Sequence, residues 1–322
     1  MPSVVIQSAG FLTTVQDTGR HGYQRYGMPV SGAMDIFSLR LANMLVGNDA
    51  GEACLEATFT GPEMLFNNNV AIAVTGADMG PCLNEKPVPL NSTLIAKQGD
   101  TLSFTGLKKG FRSYIAFAGG INTVPVMGSR STYLRAKVGG LAGRALRAGD
   151  ELPLGNNTGR IRLTETPEGA LPLFQSGQMI RITSGPEAHL FEMEGIHLFL
   201  TTEYRVTEQS DRMGYRLSGS EIMHKEAGAD IISAGISPGT IQVPGNGQPI
   251  ILMADRQTSG GYTRIANVIS ADLPLLGQAK PGGPLPPQRR NHRAEKYDGA
   301  ESGDKSGRGH LSIRRRRSAQ CG

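Results

Sequence analysis

The sequence predicts a mainly β protein of the barrel or sandwich type, and three observations predict it. Glycine is abundant, at 43 of 322 residues, alongside 19 prolines, which marks frequent tight turns. Short alternating or apolar runs recur between Gly, Asn and Pro clusters: Val70–Val74, Ser113–Phe117, Pro249–Met253 and Ala266–Ile269. Runs of that length punctuated by turn residues read as strands. The chain also echoes itself. Asp17-Thr18-Gly19-Arg20-His21-Gly22-Tyr23 is answered by Asp211-Arg212-Met213-Gly214-Tyr215-Arg216, and Gly99-Asp100 by Gly149-Asp150, each followed by alternation. Two related barrels account for both echoes; coincidence between short motifs is the alternative.

Few helices are expected. Ser31 is a candidate cap for the first, with Asp35 suited to the positive helix start. Met34, Phe37, Leu41, Met44 and Leu45 follow at helical spacing, and Gly47 is a stop signal. A weaker helix is predicted over roughly Pro186–Leu200, interrupted by Gly195.

The formal net charge of +5 is concentrated at one end. Residues 281–322 hold ten Lys and Arg against four Asp and Glu, leaving 33 − 10 = 23 basic and 28 − 4 = 24 acidic groups in the first 280 residues. The body is therefore nearly neutral, which argues against nucleic acid as its partner. The tail opens with Gly283-Pro284-Leu285-Pro286-Pro287, a poor strand because proline lacks an amide donor. It then turns polar and ends in Arg314–Arg317. Disorder is expected from about residue 283. The tail reads either as a basic binding arm or as a non-native end left by a frameshift, and the second reading is favoured. Cys54, Cys82 and Cys321 form no Cys-x-x-Cys pair, so neither a zinc site nor a redox motif is indicated, and buried free thiols are expected at the first two. The start of the chain lacks the pattern of a signal peptide, and no run approaches the ~20 apolar residues of a membrane span. A cytoplasmic, membrane-free protein is expected.

Familiar catalytic signatures are missing. No glycine is followed by lysine, so there is no P-loop; there is no His-Glu-x-x-His and no Ala-Met-Lys-Met biotin-attachment sequence. His189 and His197 near Glu187, Glu192 and Glu194 fit no standard metal template, and no metal is assigned. What remains are glycine-rich polar segments. In Gln16–Asp35, glycines permit close backbone approach and Arg20 and Arg25 offer forks for an anion; a structural Asp17–Arg20 pair is the alternative. Ser210–Gly219, Gly239–Pro249 and Met253–Tyr262, continued by Asp272, place further polar residues at strand ends, where loops converge on pockets. A carboxylate base, an arginine clamp and a tyrosine donor would suit amide activation.

Taken together, these segments resemble one known family. Gln16–Asp35 is similar to its opening signature. Gly128-Ser129-Arg130-Ser131-Thr132-Tyr133, with Gly139-Gly140 and Gly143–Leu146, is similar to its middle one. Ser210–Gly219, Gly239–Pro249 and Asp255–Asp272 are similar to its C-terminal ones. The family is the biotin-dependent carboxyltransferase-like group, which includes the C subunit of 5-oxoprolinase, KipA-like proteins and allophanate hydrolase subunit 2-like proteins. The resemblance spans about residues 3–282, with Thr263 standing where the family has proline, and with the expected Gly-Asp strand missing after Gly282, which would leave an open sheet edge.

The resemblance implies two cyclophilin-like β-barrels, placed here at residues 1–165 and 166–282, with 283–322 as tail. It implies one component of an ATP-dependent 5-oxoprolinase that opens 5-oxo-L-proline to L-glutamate, in complex with a KipI-like B subunit and an A subunit. ATP is expected in the complex and no covalent biotin in this chain. Carboxyl transfer from carboxybiotin to urea or a related amide, and KipA-like antagonism of a KipI-like kinase inhibitor, are the alternatives. The candidate catalytic residues are Asp17, Arg20, Asp211 and Asp255. The candidate substrate-binding residues are Tyr23, Tyr26, Ser31, Arg212, Tyr215, Gln242, Thr258, Tyr262 and Asp272.

Overall fold

Two antiparallel sheets carry the first half of the chain in the computed structural model, which describes residues 2–157, 162–167, 171, 179–226 and 228–286 and the backbone of 289–290. One sheet runs in the order Glu151–Pro153, Ser3–Ser8, Glu63–Phe66, Thr101–Phe104, Pro81–Leu83, Lys86–Pro87. The other runs Leu12–Gln16, Cys54–Thr58, Lys109–Phe117, Val70–Asp78, Thr93–Ala96. They pack face to face, Val4, Ile6, Phe66 and Leu102 from the first meeting Val15, Leu55, Ile72 and Phe117 from the second. The fold is mainly β, with three short α-helices among the described residues.

The two-residue period of strand Val70–Asp78 explains how a helix joins this pair. Ile72 and Val74 face the inter-sheet core, whereas Ala71 and Ala73 face helix α1 (Ile36–Leu45) with Tyr114 and Ala116. Small side chains on that face let the helix lie close. Its buried residues are Ser38, Leu39, Ala42, Asn43 and Leu45, and Met44 is exposed. Of the predicted apolar positions, Met34 and Leu45 are buried, Phe37 and Leu41 half-buried and Met44 exposed, because the helix also buries the polar Ser38 and Asn43. Its cap is Asp35 rather than Ser31: Asp35 Oδ1 accepts from Ser38 N (2.9 Å) and Oδ2 from Ser38 Oγ (2.6 Å). Ser31 instead has a left-handed backbone, φ 57°.

A third sheet carries the second half, in the order Pro284–Leu285, Tyr204–Val206, Gly214–Ser218, Ile250–Leu252, Thr240–Gln242, Arg264–Val268, Arg181–Ser184, Arg289–Arg290. Its core takes Phe191 and Phe199, the latter from helix α2 (Met193–Thr201), and also Met34 from the first half. A separate ribbon pairs Asp230–Gly235 with Ser259–Tyr262. Thr263 donates its amide to Ala229 O (2.9 Å), a bond that the family's proline would lack.

Disorder from residue 283 is corrected at its beginning. Leu285 is buried, and Pro284–Leu285 pairs with Tyr204–Val206 at the sheet edge. An edge strand tolerates proline because one row of its amides needs no partner. Residues 284–285 and 289–290 therefore border both ends of the sheet that was expected to be left open on one side. The rest of the predicted disordered tail, 287–288 and 291–322, lies outside the described residues. Residues 1–290 form one compact unit.

The Gly-Asp echo is a repeated turn. Gly99 and Gly149 both have φ 87°, and Asp100 and Asp150 each accept from the amide three residues back, Lys97 N (2.7 Å) and Arg147 N (2.8 Å). Both turns feed strands of the same sheet in the first half. This echo therefore lies within one half, not between two barrels.

Candidate active site

The two halves meet over a buried ionic cluster. Glu56 sits in the interior strand Cys54–Thr58 at 1% exposure. Its Oε2 accepts from Met34 N (2.8 Å) and from Tyr114 Oη (2.7 Å), and its Oε1 from Arg212 Nη1 (2.5 Å). Arg212, from the loop before strand Gly214–Ser218, donates further to Gly32 O (2.5 Å) and, through Nε and Nη2, to both oxygens of Asp255 (2.9 and 3.2 Å). Burial alone would ease the proton off Arg212, but the charges of Asp255 and Glu56 more than offset it and raise its pKa. One guanidinium thus bridges two carboxylates, one from each half. Such a cluster is stable only because every partner is present.

Arg112 adds a second bridge. Its Nη1 donates to Tyr215 Oη and to Gly277 O, both at 2.6 Å. Burial, opposed by Arg112, pushes the Tyr215 hydroxyl pKa up. Gln278, just beyond helix α3 (Leu273–Gly277), accepts from Phe111 N (2.9 Å) and Arg112 N (3.0 Å) and donates to Asp35 Oδ2 (2.8 Å) and Arg112 O (2.9 Å). That side chain closes the irregular stretch of strand Lys109–Phe117 onto the second half. Burial raises the pKa of Asp35 against these hydrogen bonds.

Over this cluster opens a cleft of about 470 Å³. Phe11, Phe59, Phe111 and Leu134 form apolar walls, Arg112, Tyr215, Arg212 and Asp255 polar ones, and Arg135, Lys280, Glu208 and Asp211 also line it. An apolar recess with a few convergent polar groups is the usual form of a small-molecule site. Of the candidate residues, Arg212, Tyr215, Asp211 and Asp255 line this one cleft.

Other predicted residues take different places. Asp17 lies behind the cleft wall, 8% exposed, and its carboxylate accepts from Gly19 N (2.7 Å), Ser129 Oγ (2.7 Å), Arg130 N (2.5 Å) and Ser131 Oγ (2.5 Å). It ties the opening segment to the middle one, which supplies Tyr133 and Arg135 to the cleft. Arg20 is fully buried and donates to the Ser131 carbonyl, but its Nε and Nη1 have no partner among the described residues. Burial lowers its pKa against the pull of Asp17 and Asp255. Gly139 is packed so closely on Ser131 O and Arg20 that a Cβ would collide with both. Ser31 is buried, and its amide donates to Ala254 O (3.1 Å), joining the opening segment to the Asp255 loop.

Gln242, Tyr262 and Asp211 line a second, polar cavity of about 810 Å³, and Thr258 a third of about 460 Å³. Tyr23 and Tyr26 line none of the three; Tyr26 is 70% exposed and stacks under Arg25. Asp272 is held by Arg181 through N (2.7 Å), Nε (3.0 Å) and Nη2 (2.6 Å), a pairing that serves the end of the sheet. Sequence reasoning missed Glu56, Arg112 and Gln278. The available signal was a lone charge in each of two strand-like runs, Cys54-Leu55-Glu56-Ala57 and Phe111-Arg112-Ser113-Tyr114.

Comparison with known proteins gives a consistent picture. Residues 26–286 match the family described as carboxyltransferase domain, subdomains A and B. The chain is 43% identical over 277 residues to the C subunit of 5-oxoprolinase from Escherichia coli, covering 86% of this chain and 88% of that protein. It is 37% identical to the Haemophilus influenzae protein of the same name, covering 84% and 86%. Among solved structures, urea amidolyase of K. lactis superposes with a TM-score of 0.84 at 30% identity, over 96% of this chain and 20% of that one. The urea carboxylase of Kluyveromyces lactis gives 0.83 at 33%, over 88% and 27%. The chain thus corresponds to a minor part of those two larger proteins.

Proposed function

The chain belongs to the carboxyltransferase-domain family, and from that premise we propose that it acts as the C subunit of an ATP-driven 5-oxoprolinase, opening 5-oxo-L-proline to L-glutamate together with partner subunits. The observation that carries this reading is the cleft lined from both halves, with the Arg212–Asp255 pair in its wall. A lactam is a poor electrophile. Phosphorylating its oxygen makes the carbonyl carbon open to attack by water, and fixed donors stabilise the charge that develops. In this reading the aromatic wall at Phe59 and Phe111 takes the ring, and Arg135 and Lys280 at the cleft attract its carboxylate. Asp255 accepts the proton of the attacking water and Arg212 holds Asp255 in place. Asp17 and Arg20 are positioning residues, acting through the segment that carries Tyr133. The Arg212 guanidinium is held by Glu56, Gly32 O and Asp255, and the sequence has no P-loop. As the family resemblance implies, this reading assigns ATP to the assembled enzyme, with a KipI-like B subunit and an A subunit as the partners.

The test is glutamate release from 5-oxoproline and ATP by the complex co-expressed with both partners. Asp255→Asn is expected to lower turnover by about 10²–10⁴, the usual worth of a general base, while the complex still assembles. Unchanged turnover in that variant would remove the cleft from the chemistry. The likeness to urea carboxylase supports a second reading, carboxyl transfer to an amide. Carboxylation of urea that requires a biotin carrier, without glutamate release, would favour it.

A further inference from the structure

The loop that gives Asp255 to the cleft gives its next residue to a different cavity. Arg256 lines the space of about 460 Å³ between the Gln24–Val30 segment and the loops at 235–238 and 256–258. It is 6% exposed. Its bonds are two long ones to carbonyls, Nε to Ile236 O (3.3 Å) and Nη1 to Met253 O (3.2 Å), and Nη2 has no partner among the described residues. The neighbouring carboxylate, Asp255, is already taken by Arg212. Burial pulls the pKa of Arg256 down to about 10, with Asp255 opposing. A buried cation held only by carbonyl dipoles is costly unless a counter-charge reaches it.

The cavity wall is built to admit one. Among the described residues it contains no Asp or Glu, and its other polar side chains, Gln24, Ser237, Gln257 and Thr258, are amides and hydroxyls that can donate. We propose that this cavity is a binding site for a small oxyanion, a phosphate or carboxylate group forked by Arg256. A planar guanidinium with a free edge suits the paired oxygens of either group. The site is distinct from the cleft and needs no partner protein, so its failure and the failure of the proposed reaction are separate results.

The experiment is thermal unfolding of the full-length chain at constant ionic strength, with chloride replaced stepwise by inorganic phosphate or by acetate. A saturable rise in Tm is expected, with an apparent Kd weakened about tenfold or more in Arg256→Gln, as the loss of a charge-assisted contact implies. A response to phosphate alone identifies a phosphoryl group, and a response to acetate alone a carboxylate. If Arg256→Gln does not fold, the double variant Gln24→Ala with Thr258→Val keeps the arginine and is expected to weaken the same anion several-fold, read by 31P line width for phosphate. No saturable response in the wild type, or an equal one in the variants, overturns the site.

Discussion

The loop at Asp17–Arg20 and the loop at Asp211–Arg212 start from the same local chemistry and divide it in opposite ways. In each, the aspartate closes a tight turn by accepting an amide two residues on, Gly19 N (2.7 Å) or Met213 N (2.8 Å), and in each an arginine is buried. In the first loop the carboxylate is the hub, taking three further bonds from residues 129–131, while the arginine keeps two nitrogens unpartnered among the described residues. In the second the aspartate stays at the cleft wall and holds little beyond its own turn, while the arginine bridges Glu56, Asp255 and Gly32 O. The difference teaches that an Asp-Arg motif does not say which of the two charges carries the structure. That depends on what the other half of the molecule brings to it.

The largest effect should come from Arg212→Met. It leaves Glu56 and Asp255 buried with their common cation removed, and breaking a buried pair in this way costs about 3–5 kcal/mol. Urea unfolding at pH 7 measures it. A loss below about 1 kcal/mol would mean that water reaches both carboxylates and that the cluster is no hub.

Asp17→Asn tests the other side of the comparison. The amide keeps one acceptor oxygen, and its NH2 group faces a donor that the carboxylate had satisfied, among Arg130 N and the hydroxyls of Ser129 and Ser131. Bonds to a charged acceptor are worth about 1.5–3 kcal/mol, and a loss in that range is expected, smaller than for Arg212→Met. Limited proteolysis should cut within residues 128–146 sooner than in the wild type. A stability loss without that change would show that Asp17 holds its own turn and not the middle segment.

How much of this was legible beforehand follows from the same contrast. Strand-forming runs such as Val70–Val74 and Ser113–Phe117 advertise themselves through local alternation, and they lie in strands Val70–Asp78 and Lys109–Phe117. Asp211, Arg212, Tyr215 and Asp255 sit in glycine-rich polar segments and were readable as site candidates. Glu56 and Gln278 were not, because their partners lie 156 and 243 residues away, at Arg212 and Asp35. No local pattern encodes such a pairing. Helix α1 was legible as an element but its buried face only in part: Met34 and Leu45 are buried, whereas Asn43 and Ser38 are buried because Glu52 O and Asp35 receive them, which hydrophobic phase does not encode.

Arg20→Met is the sharpest test, since it is expected to do least. Among the described residues the Arg20 guanidinium makes one hydrogen bond, to a carbonyl, and no ion pair, and its charge is desolvated. Replacing a poorly compensated buried charge by an apolar side chain of similar length is often neutral or stabilising. The change in unfolding free energy should stay within about 1 kcal/mol of zero, a size typical of a tolerated volume-conserving swap. The two methionine variants differ only in which loop loses its guanidinium. Equal losses in both would mean that Arg20 is stabilised at a distance by Asp17 and Asp255, and the division of labour between the loops would collapse.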